Sequence, residues 1–453
     1  MLPFATLSLV AANLKSLLFW LLVNQKVVGL VSGAIACVFI WRKPGSPSFQ
    51  RTIVTAALIY LATRGVLFLL NYDCWDFEVF YRTGLGIRRG DDPYADFRLQ
   101  YPINALPLFA LFTYLPEKSS AILWYLFNGL SLLCVVWLAQ CIIAKCQQGG
   151  QPIPWYAHAP GTLALLLAGA TTWGLDAGQL TVWTPLFVYA AILALAHDRP
   201  LSSGLSLGAA SLKITTSFPF LLLFFRPDRW RAWVVYVAVL AGLCCCLYPP
   251  SRLPKLQREH LNNVRQAREP GEVNDYTFAG PVHDDMLGLE HWLCCLGLRG
   301  STITARVQLG ILLMIGLLLF CDFRLRQNPG GELLLAVLLC IYSCIFLYHR
   351  IYDGVILALP LYYCMQRAMA EPSARGTIYR SIATALIFVL NFPRGGVMFR
   401  LAGWSQEGGL AGRLFQIFLL PYCTWILLFA LGALWFLGRE ASSESPLSDQ
   451  AFP

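Results

Sequence analysis

Charged residues are scarce in this chain of 453 residues: Asp, Glu, Lys and Arg make up 13% of it, whereas hydrophobic residues make up 57%. That much apolar surface cannot be buried in the core of one soluble domain. The composition therefore predicts an all-α polytopic membrane protein. A basic face is lacking too, because the net charge of +9 comes from short Lys and Arg clusters between apolar runs. Such clusters are typical of cytoplasmic loops, so we expect no nucleic acid partner.

Motifs for metal and nucleotide binding are also missing. The 15 cysteines show no zinc-binding spacing, and most lie in apolar runs, where a thiol packs as a small hydrophobic group. No glycine-rich phosphate loop occurs in a predicted cytoplasmic segment, so we expect no nucleotide site. Cys74, Cys294 and Cys295 fall in predicted external loops, and a disulfide from Cys74 to one of the other two is possible.

The alternation of apolar runs with basic clusters predicts about 12 to 14 membrane crossings. We divide the chain into an N-terminal membrane segment with a cytoplasmic linker (1–51), a transmembrane domain (52–437) and a cytoplasmic tail (438–453). The transmembrane domain includes a first external loop, residues 71–118, and a long external loop, residues 249–302. Juxtamembrane helices are expected in the first loop, because its apolar pieces are too short to cross.

One apolar run, residues 201–225, lies between two basic clusters that both belong to the cytoplasmic side. A single crossing cannot begin and end on the same side, so the charge pattern predicts two short arms that meet near Lys213. A lysine inside an apolar segment costs about 2.5 to 3.5 kcal/mol on insertion scales, and it normally faces a cavity and a partner. A lipid phosphate is one such partner; the alternative is that Lys213 snorkels to the headgroups.

Carboxylates crowd into residues 71–102, between two apolar runs. An ionised carboxylate needs water or a partner, so the stretch is either a solvated loop or a site at the membrane surface. Asp73 and Asp76 are three residues apart and share one face of a helix that begins near Tyr72. One such carboxylate can take the proton of a sugar hydroxyl, and a phosphate leaving group needs no general acid.

The first loop contains Asp76-Phe77, Phe80-Tyr81, Gly90-Asp91-Asp92-Pro93-Tyr94 and Tyr101-Pro102. A Gly178-Gln179 turn before an apolar run and a glycine-rich arm from Gly204 to Lys213 follow. In this order the motifs resemble glycosyltransferase family 87, whose best-known members are polyprenyl-phosphate-mannose-dependent mannosyltransferases of the GT-C fold. The resemblance runs over roughly residues 52–370. Ile103 and Ile214 stand where the family usually has proline.

The resemblance implies a GT-C fold and roles for single residues. Asp76 matches the loop aspartate that acts as catalytic base, and Asp73 would be its helper or a capping residue. Lys213 would hold the donor phosphate. His349 and Arg350 would assist it, since imidazole and guanidinium groups donate well to phosphate oxygens. Alternatively, these two residues form a helix-end pair that satisfies Asp353.

We expect the external loops to bind the acceptor. By the resemblance, Tyr81 and Tyr101 of the first loop and Gln179 belong to this region. His283 and Asp284 of the long loop are metal ligands by type, but their spacing matches no defined site, and a solvated loop is the other interpretation. If the resemblance holds, the long loop covers the acceptor instead. We therefore expect no bound metal ion.

These features predict an enzyme that transfers mannose, or another hexose or pentose, from a polyprenyl-phosphate-linked donor to a lipid or glycan acceptor. The resemblance implies inversion at the anomeric carbon, no cofactor, and a site on the external or periplasmic face of the cell membrane. A secondary transporter or lipid flippase is one alternative, because broken spans with an internal cation are typical of transporters. A metal-dependent lipid phosphatase built on His283, Asp284 and His291 is another.

Overall fold

The computed structural model is built from α-helices joined by short 3-10 turns. It describes residues 24–42, 46–71, 74–147, 154, 156–277, 280, 285–298, 301–325, 329–371, 373–392 and 409–443. Asp73, His283 and Asp284 lie outside these ranges. Within them, β-type pairing is limited to one isolated antiparallel bridge, between Met286 and Arg350.

Helices begin and end where proline, glycine and charged residues interrupt the apolar runs. Proline occupies the first position of several of them, where its missing N–H costs nothing. In chain order they are α1 (Gln25–Trp41), α2 (Pro47–Asn71), α3 (Trp75–Arg89), α4 (Leu106–Phe112), α5 (Glu117–Gln147), α6 (Ala159–Leu166), α7 (Gly169–Ala177), α8 (Trp183–Ala196), α9 (Pro200–Ala210), α10 (Ile214–Ser217), α11 (Trp230–Cys245), α12 (Leu253–Gln266), α13 (Leu289–Cys295), α14 (Ser301–Leu325), α15 (Pro329–Ile345), α16 (Ala358–Ala370), α17 (Ala374–Asn391), α18 (Gly409–Phe418) and α19 (Tyr422–Ser443).

Five of the described helical runs are long and apolar enough to cross a membrane. They are Pro47–Phe68, Glu117–Cys146, Pro200–Phe224, Thr302–Asp322 and Tyr422–Arg439. A sixth is formed if α11 and α12, which meet at 83°, count as one broken span. The chain is therefore an all-helical protein with several membrane-spanning helices, as its composition predicts.

Residues 200–224 form a bent run, although their length and composition suit a single crossing. After α9 the chain turns through a 3-10 segment at Ser211–Lys213, continues as α10 and ends in a 3-10 helix, Phe218–Phe224. A straight helix of that length would span about 37 Å. Yet Asp198 and Arg226, just beyond its two ends, line one cavity of about 360 Å³. The run therefore goes out and returns, which confirms the predicted pair of short arms.

The centre of the molecule is α15, whose middle residues are almost completely buried. Leu338, Leu339 and Ile341 have exposed fractions of at most 1%. The helix contacts α5, α10, α16 and α19, and burial on all sides explains why its sequence is apolar all round. With 17 residues, it separates its two ends by about 25 Å. A cluster of charged side chains lies at each end.

Candidate active site

Asp76 lies in the first turn of α3, within the first loop. An acidic side chain there suits the positive end of the helix dipole. The apolar face of α3, which includes Phe77 and Phe80, is buried against α4. This packing confirms that the loop carries a helix of its own. It also keeps Asp76 half-buried instead of turned to bulk solvent.

A neutral amide meets the Asp76 carboxylate. Gln179 Nε2 donates a hydrogen bond to Asp76 Oδ2, and Gln179 Oε1 accepts one from the Tyr101 hydroxyl at 2.8 Å. Gln179 itself is buried. The structure thus brings three residues chosen from the sequence into one hydrogen-bonded chain.

The turn that carries Gln179 is pressed against α3. Gly178 caps α7 with a φ of +76°, which side chains other than glycine rarely adopt. A Cβ built on Gly178 would lie 2.7 Å from both Cys74 Sγ and Phe77 Cβ. On its other side, Trp124 Nε1 donates to Gly178 O at 2.8 Å. Only glycine fits at this contact, which explains why a glycine, Gly178, precedes Gln179.

Lys213 forms an ion pair with Asp353. Its Nζ meets Asp353 Oδ1, while His349 Nδ1 lies 2.9 Å from Asp353 Oδ2. The exposed fractions are 13% for Lys213, 3% for Asp353 and 0% for His349. His349 Nε2 is buried and has no hydrogen-bond partner within the described part of the chain. Lys213 Nζ also lies 5.4 Å from the centre of the Tyr352 ring.

The two carboxyls of the site respond differently to their surroundings. Burial raises the pKa of Asp76 above its ordinary value, and the Gln179 hydrogen bond and the charges of Arg350 and Lys213 offset this only in part. Burial alone would also raise the pKa of Asp353, but Lys213 and His349 outweigh it and hold that pKa at about 2. Asp353 is therefore a permanent anion, whereas Asp76 has the higher proton affinity that a general base needs.

Arg350 is engaged mainly by protein oxygens. Its Nη2 donates to Val273 O and Asn274 Oδ1, and its Nε donates to the Tyr348 hydroxyl. These contacts tie the guanidinium to the long loop. Its positive charge nevertheless acts on Asp76. The structure therefore places Arg350 at the site as a nearby charge that is already hydrogen-bonded.

Residues 249–277 of the long loop, which we call the roof, lie over the first loop. Asn263 Nδ2 donates to the carbonyl oxygens of Tyr94, Asp96 and Leu99 at 3.0, 3.0 and 3.3 Å. Further along, Asn274 Nδ2 donates to the side chain of Gln100. Residues 94–100 of the first loop and the roof are therefore fastened together.

A second charged cluster lies at the opposite end of α15. Arg229 Nη2 donates to both carboxylate oxygens of Glu332 at 2.7 Å, and Arg226 Nη1 bonds to the same carboxylate. The cluster lines the cavity of about 360 Å³ together with Lys145 and Asp198. None of the residues predicted for the site lines that cavity. It lies apart from the candidate active site.

Other predicted features lie in the protein interior or are not formed. Tyr81 is buried, and its hydroxyl donates to Leu115 O at 2.8 Å, so it packs within the core between α3 and α4. In the described part of the chain, no disulfide joins Cys74 to Cys294 or Cys295. Within the same ranges, no group of three or more His, Cys, Asp or Glu side chains is placed to hold a metal ion.

The partners of the predicted residues were harder to foresee. His349 and Asp353 are four apart, one helical turn, and this spacing was the available signal for the partner of Lys213. Arg64, alone in an apolar run, signalled a buried anion, and the structure pairs it with Asp176. Asn274, which joins the roof to the site, had no signal in the sequence.

Comparison with known protein families gives one match. Residues 99–348 match the model of glycosyltransferase family 87, a span of more than half of the chain. The matched range includes Gln179 and Lys213, whereas Asp76 precedes it and His349 directly follows it. No curated protein and no solved structure matches the chain.

Proposed function

Because the chain belongs to glycosyltransferase family 87, we propose that it transfers a sugar from a polyprenyl-phosphate-linked donor to a hydroxyl group of a lipid or glycan acceptor. The sugar is mannose or another hexose or pentose. The reaction takes place at the external or periplasmic face of the cell membrane. We further propose a GT-C fold, with about 12 to 14 crossings for the whole chain.

The observation that carries the proposal is the convergence of four separate segments on Asp76. Gln179 holds the carboxylate, Tyr101 holds Gln179, and the charges of Lys213 and Arg350 act on Asp76 from two further segments. A solvated loop carboxylate would have no such surroundings. An acid with raised proton affinity beside a phosphate-binding cation suits glycosyl transfer from a phosphate donor.

The proposed reaction is a single displacement. Asp76 takes the proton of the acceptor hydroxyl as the acceptor oxygen forms a bond to the anomeric carbon of the donor. The bond between that carbon and the phosphate oxygen breaks, and polyprenyl phosphate leaves with the electron pair as an anion. The configuration at the anomeric carbon is inverted. The departing phosphate needs no protonation and the reaction needs no cofactor, because the leaving group is already a stable anion.

Lys213 and His349 bind the donor phosphate in this mechanism. An ammonium has three N–H groups, and the pair with Asp353 uses one of them, so the others can bind phosphate oxygens. With both ring nitrogens protonated, His349 donates to Asp353 through Nδ1, and its unpaired Nε2 donates the second contact to a phosphate oxygen. Arg350 adds charge that stabilises the phosphate as it departs.

A matched pair of variants tests the base. Asp76→Asn keeps the shape of the side chain and removes its basicity, so transfer should fall by about 10² to 10⁴-fold. Glu78→Gln is the control, because Glu78 lies on the same helix, is 43% exposed and pairs with Arg82. Both purified proteins are assayed with a panel of polyprenyl phosphate hexoses and pentoses and a membrane lipid extract, and the product anomer is determined by NMR.

Three outcomes would contradict the proposal. Full transfer by Asp76→Asn would remove Asp76 as the base. A product with the same anomeric configuration as the donor would exclude single displacement. Uptake or flipping of the lipid-linked sugar by reconstituted protein, without transfer to any acceptor, would favour a transporter.

A further inference from the structure

We propose that Arg64 and Asp176 are positioning residues whose ion pair fixes the Gly178 turn, so that the Gln179 amide stays on the Asp76 carboxylate. The inference rests on the proposed function for the role of Asp76 as a base. It assigns a task to two charged residues that the proposed reaction does not itself use. They act through Gln179, from the side of the turn that faces away from Asp76.

The pair is buried and joins three helices. Arg64 of α2 meets Asp176 of α7 with exposed fractions of 11% and 17%. The same Asp176 oxygen accepts a hydrogen bond from Gln25 Nε2 of α1, and Thr172 Oγ1 lies 3.3 Å from Gln25 Oε1. A buried ion is tolerated only in a geometry that keeps it paired. The end of α7 is therefore held in one place by α1 and α2.

A rigid turn links Asp176 to Gln179. Gly178 N donates to Leu175 O at 3.1 Å, and Gln179 N donates to Gly174 O at 3.0 Å, the pattern that closes a helix with a left-handed glycine. Only two residues, Ala177 and Gly178, separate the anchored carboxylate from the functional amide. A shift of Asp176 is thus passed on to Gln179.

The turn has no room to move towards α3. Gly178 already lies so close to Cys74 and Phe77 that an added Cβ would be 2.7 Å from each, so the turn cannot approach α3 further. Without the ion pair, the turn is freer to move away from α3, and the hydrogen bond from Trp124 Nε1 to Gly178 O is the restraint that remains on the turn itself. Such a movement lengthens the hydrogen bond from Gln179 to Asp76.

Different groups surround the two carboxyls. Asp76 faces Gln179 and the positive charges of Lys213 and Arg350, with the phenols of Tyr101 and Tyr352 nearby. Asp176 faces Arg64 and Gln25, with the phenols of Tyr60 and Tyr125 nearby.

This arrangement predicts the direction in which the pKa of Asp76 changes when Asp176 is replaced. Removal of the negative charge at Asp176 cannot by itself raise the pKa of Asp76, because a nearby anion only makes ionisation harder. Loss of the Gln179 hydrogen bond does raise it, since that bond favours the ionised form. A rise in the pKa of Asp76 in the Asp176→Asn variant therefore reports displacement of Gln179 and not the loss of the negative charge.

The experiment measures protonation of Asp76 directly. Full-length protein is treated with dicyclohexylcarbodiimide, which modifies protonated carboxyls, over a range of pH, and modification of Asp76 is followed by mass spectrometry. Arg64→Leu and Asp176→Asn should each move the midpoint, the pH at which Asp76 is half-modified, upward by about one pH unit. The double variant Arg64→Asp with Asp176→Arg should restore it. Arg82→Leu, which removes a 66% exposed arginine from α3, should leave it unchanged.

An unchanged or lowered midpoint in Asp176→Asn would overturn the proposal. If the charge variants fail to fold by size exclusion, Gln25→Leu removes one donor to Asp176 and leaves the ion pair in place. It should produce a smaller upward shift, and no shift would again overturn the proposal. The measurement uses neither donor nor acceptor. Transfer by Asp76→Asn would therefore refute the proposed function without deciding the role of Arg64 and Asp176.

Discussion

The two ends of α15 carry charged clusters that solve the burial of charge in different ways. At one end, Glu332 accepts hydrogen bonds from both Arg226 and Arg229, so both guanidinium groups meet a carboxylate. At the other end, the Asp76 carboxylate accepts its hydrogen bond from the neutral Gln179, while Lys213 is paired with Asp353. The two clusters lie at opposite ends of α15 and differ in how their carboxylates are paired.

In the proposed mechanism, this difference separates a structural cluster from a reactive one. The Glu332 carboxylate is bound by two arginines, whereas burial raises the pKa of Asp76 and the neutral Gln179 offsets this rise only in part. In the same mechanism the phosphate site is prepared, because Asp353 orients the Lys213 ammonium and His349, and Arg350 adds a positive charge beyond this ion pair. We expect substitutions at the two ends to separate stability from activity.

The largest effect is expected at Asp353. Asp353→Asn removes the anion that holds Lys213 and orients His349, and transfer should fall by about 10² to 10⁴-fold, as when an orienting aspartate beside a catalytic histidine is lost. The measurement is kcat/KM for the donor at equal amounts of folded protein. Activity within threefold of the unmodified protein would mean that the Lys213 pair is as purely structural as the Glu332 cluster.

Glu332→Gln should give the opposite result. Arg229 is only 9% exposed, and removal of its partner leaves a buried charge unpaired, which costs about 3 to 5 kcal/mol of unfolding free energy. Thermal unfolding in detergent measures the loss. Transfer per folded molecule should be unchanged; a fall in transfer without a fall in stability would join the two clusters functionally.

A pair of glycine variants sharpens the same contrast near Asp76. Gly178→Ala forces a φ of +76° on alanine and drives its Cβ into Cys74 and Phe77, at a combined cost of about 2 to 4 kcal/mol and with reduced transfer. Gly90→Ala has a similar φ, +87°, but no atom within 4 Å of the added Cβ. It should cost about 1 kcal/mol and leave transfer intact. Equal effects of the two would show that crowding at Gly178 does not matter.

The smallest expected effect is a shift in pH dependence. The base works when deprotonated, so a higher pKa of Asp76 moves the acid limb of the rate profile to higher pH. Gln179→Leu removes a hydrogen bond that lowers this pKa, and the limb should rise by about one pH unit, equivalent to about 1.4 kcal/mol. Tyr101→Phe leaves the amide in place and should give a smaller rise. A limb that moves to lower pH would contradict the assignment.

The positions of unusual residues could be predicted from the sequence. Lys213 stood out because a lysine is costly in an apolar run, and the basic clusters on both sides predicted the bend that places it at the site. The stretch 71–102 stood out because carboxylates are rare in the rest of this chain, and the resemblance to glycosyltransferase family 87 selected Asp76 within it. In both cases the cost of an unsatisfied charge can be judged from neighbouring residues alone.

The partners could not be predicted in the same way. Gln179 lies 103 residues from Asp76 and Asp353 lies 140 residues from Lys213, and no local pattern identifies which distant group meets which charge. Residues 158–173 contain no Asp, Glu, Lys or Arg to mark an interruption, yet they form α6 and α7 with a break between them. Apolar composition predicts that a segment is buried, but the packing of neighbouring helices decides where it is interrupted.

The hydrogen bonds between the roof and Arg350 link the position of the roof to the ionisation of Asp76. Val273 and Asn274 hold the guanidinium, and its charge helps to keep Asp76 ionised. If this segment lifts, the guanidinium is released and the carboxyl becomes harder to ionise. With the roof lifted, a smaller fraction of Asp76 would be deprotonated. In the proposed mechanism, the donor would then be protected from hydrolysis until the roof closes over the acceptor.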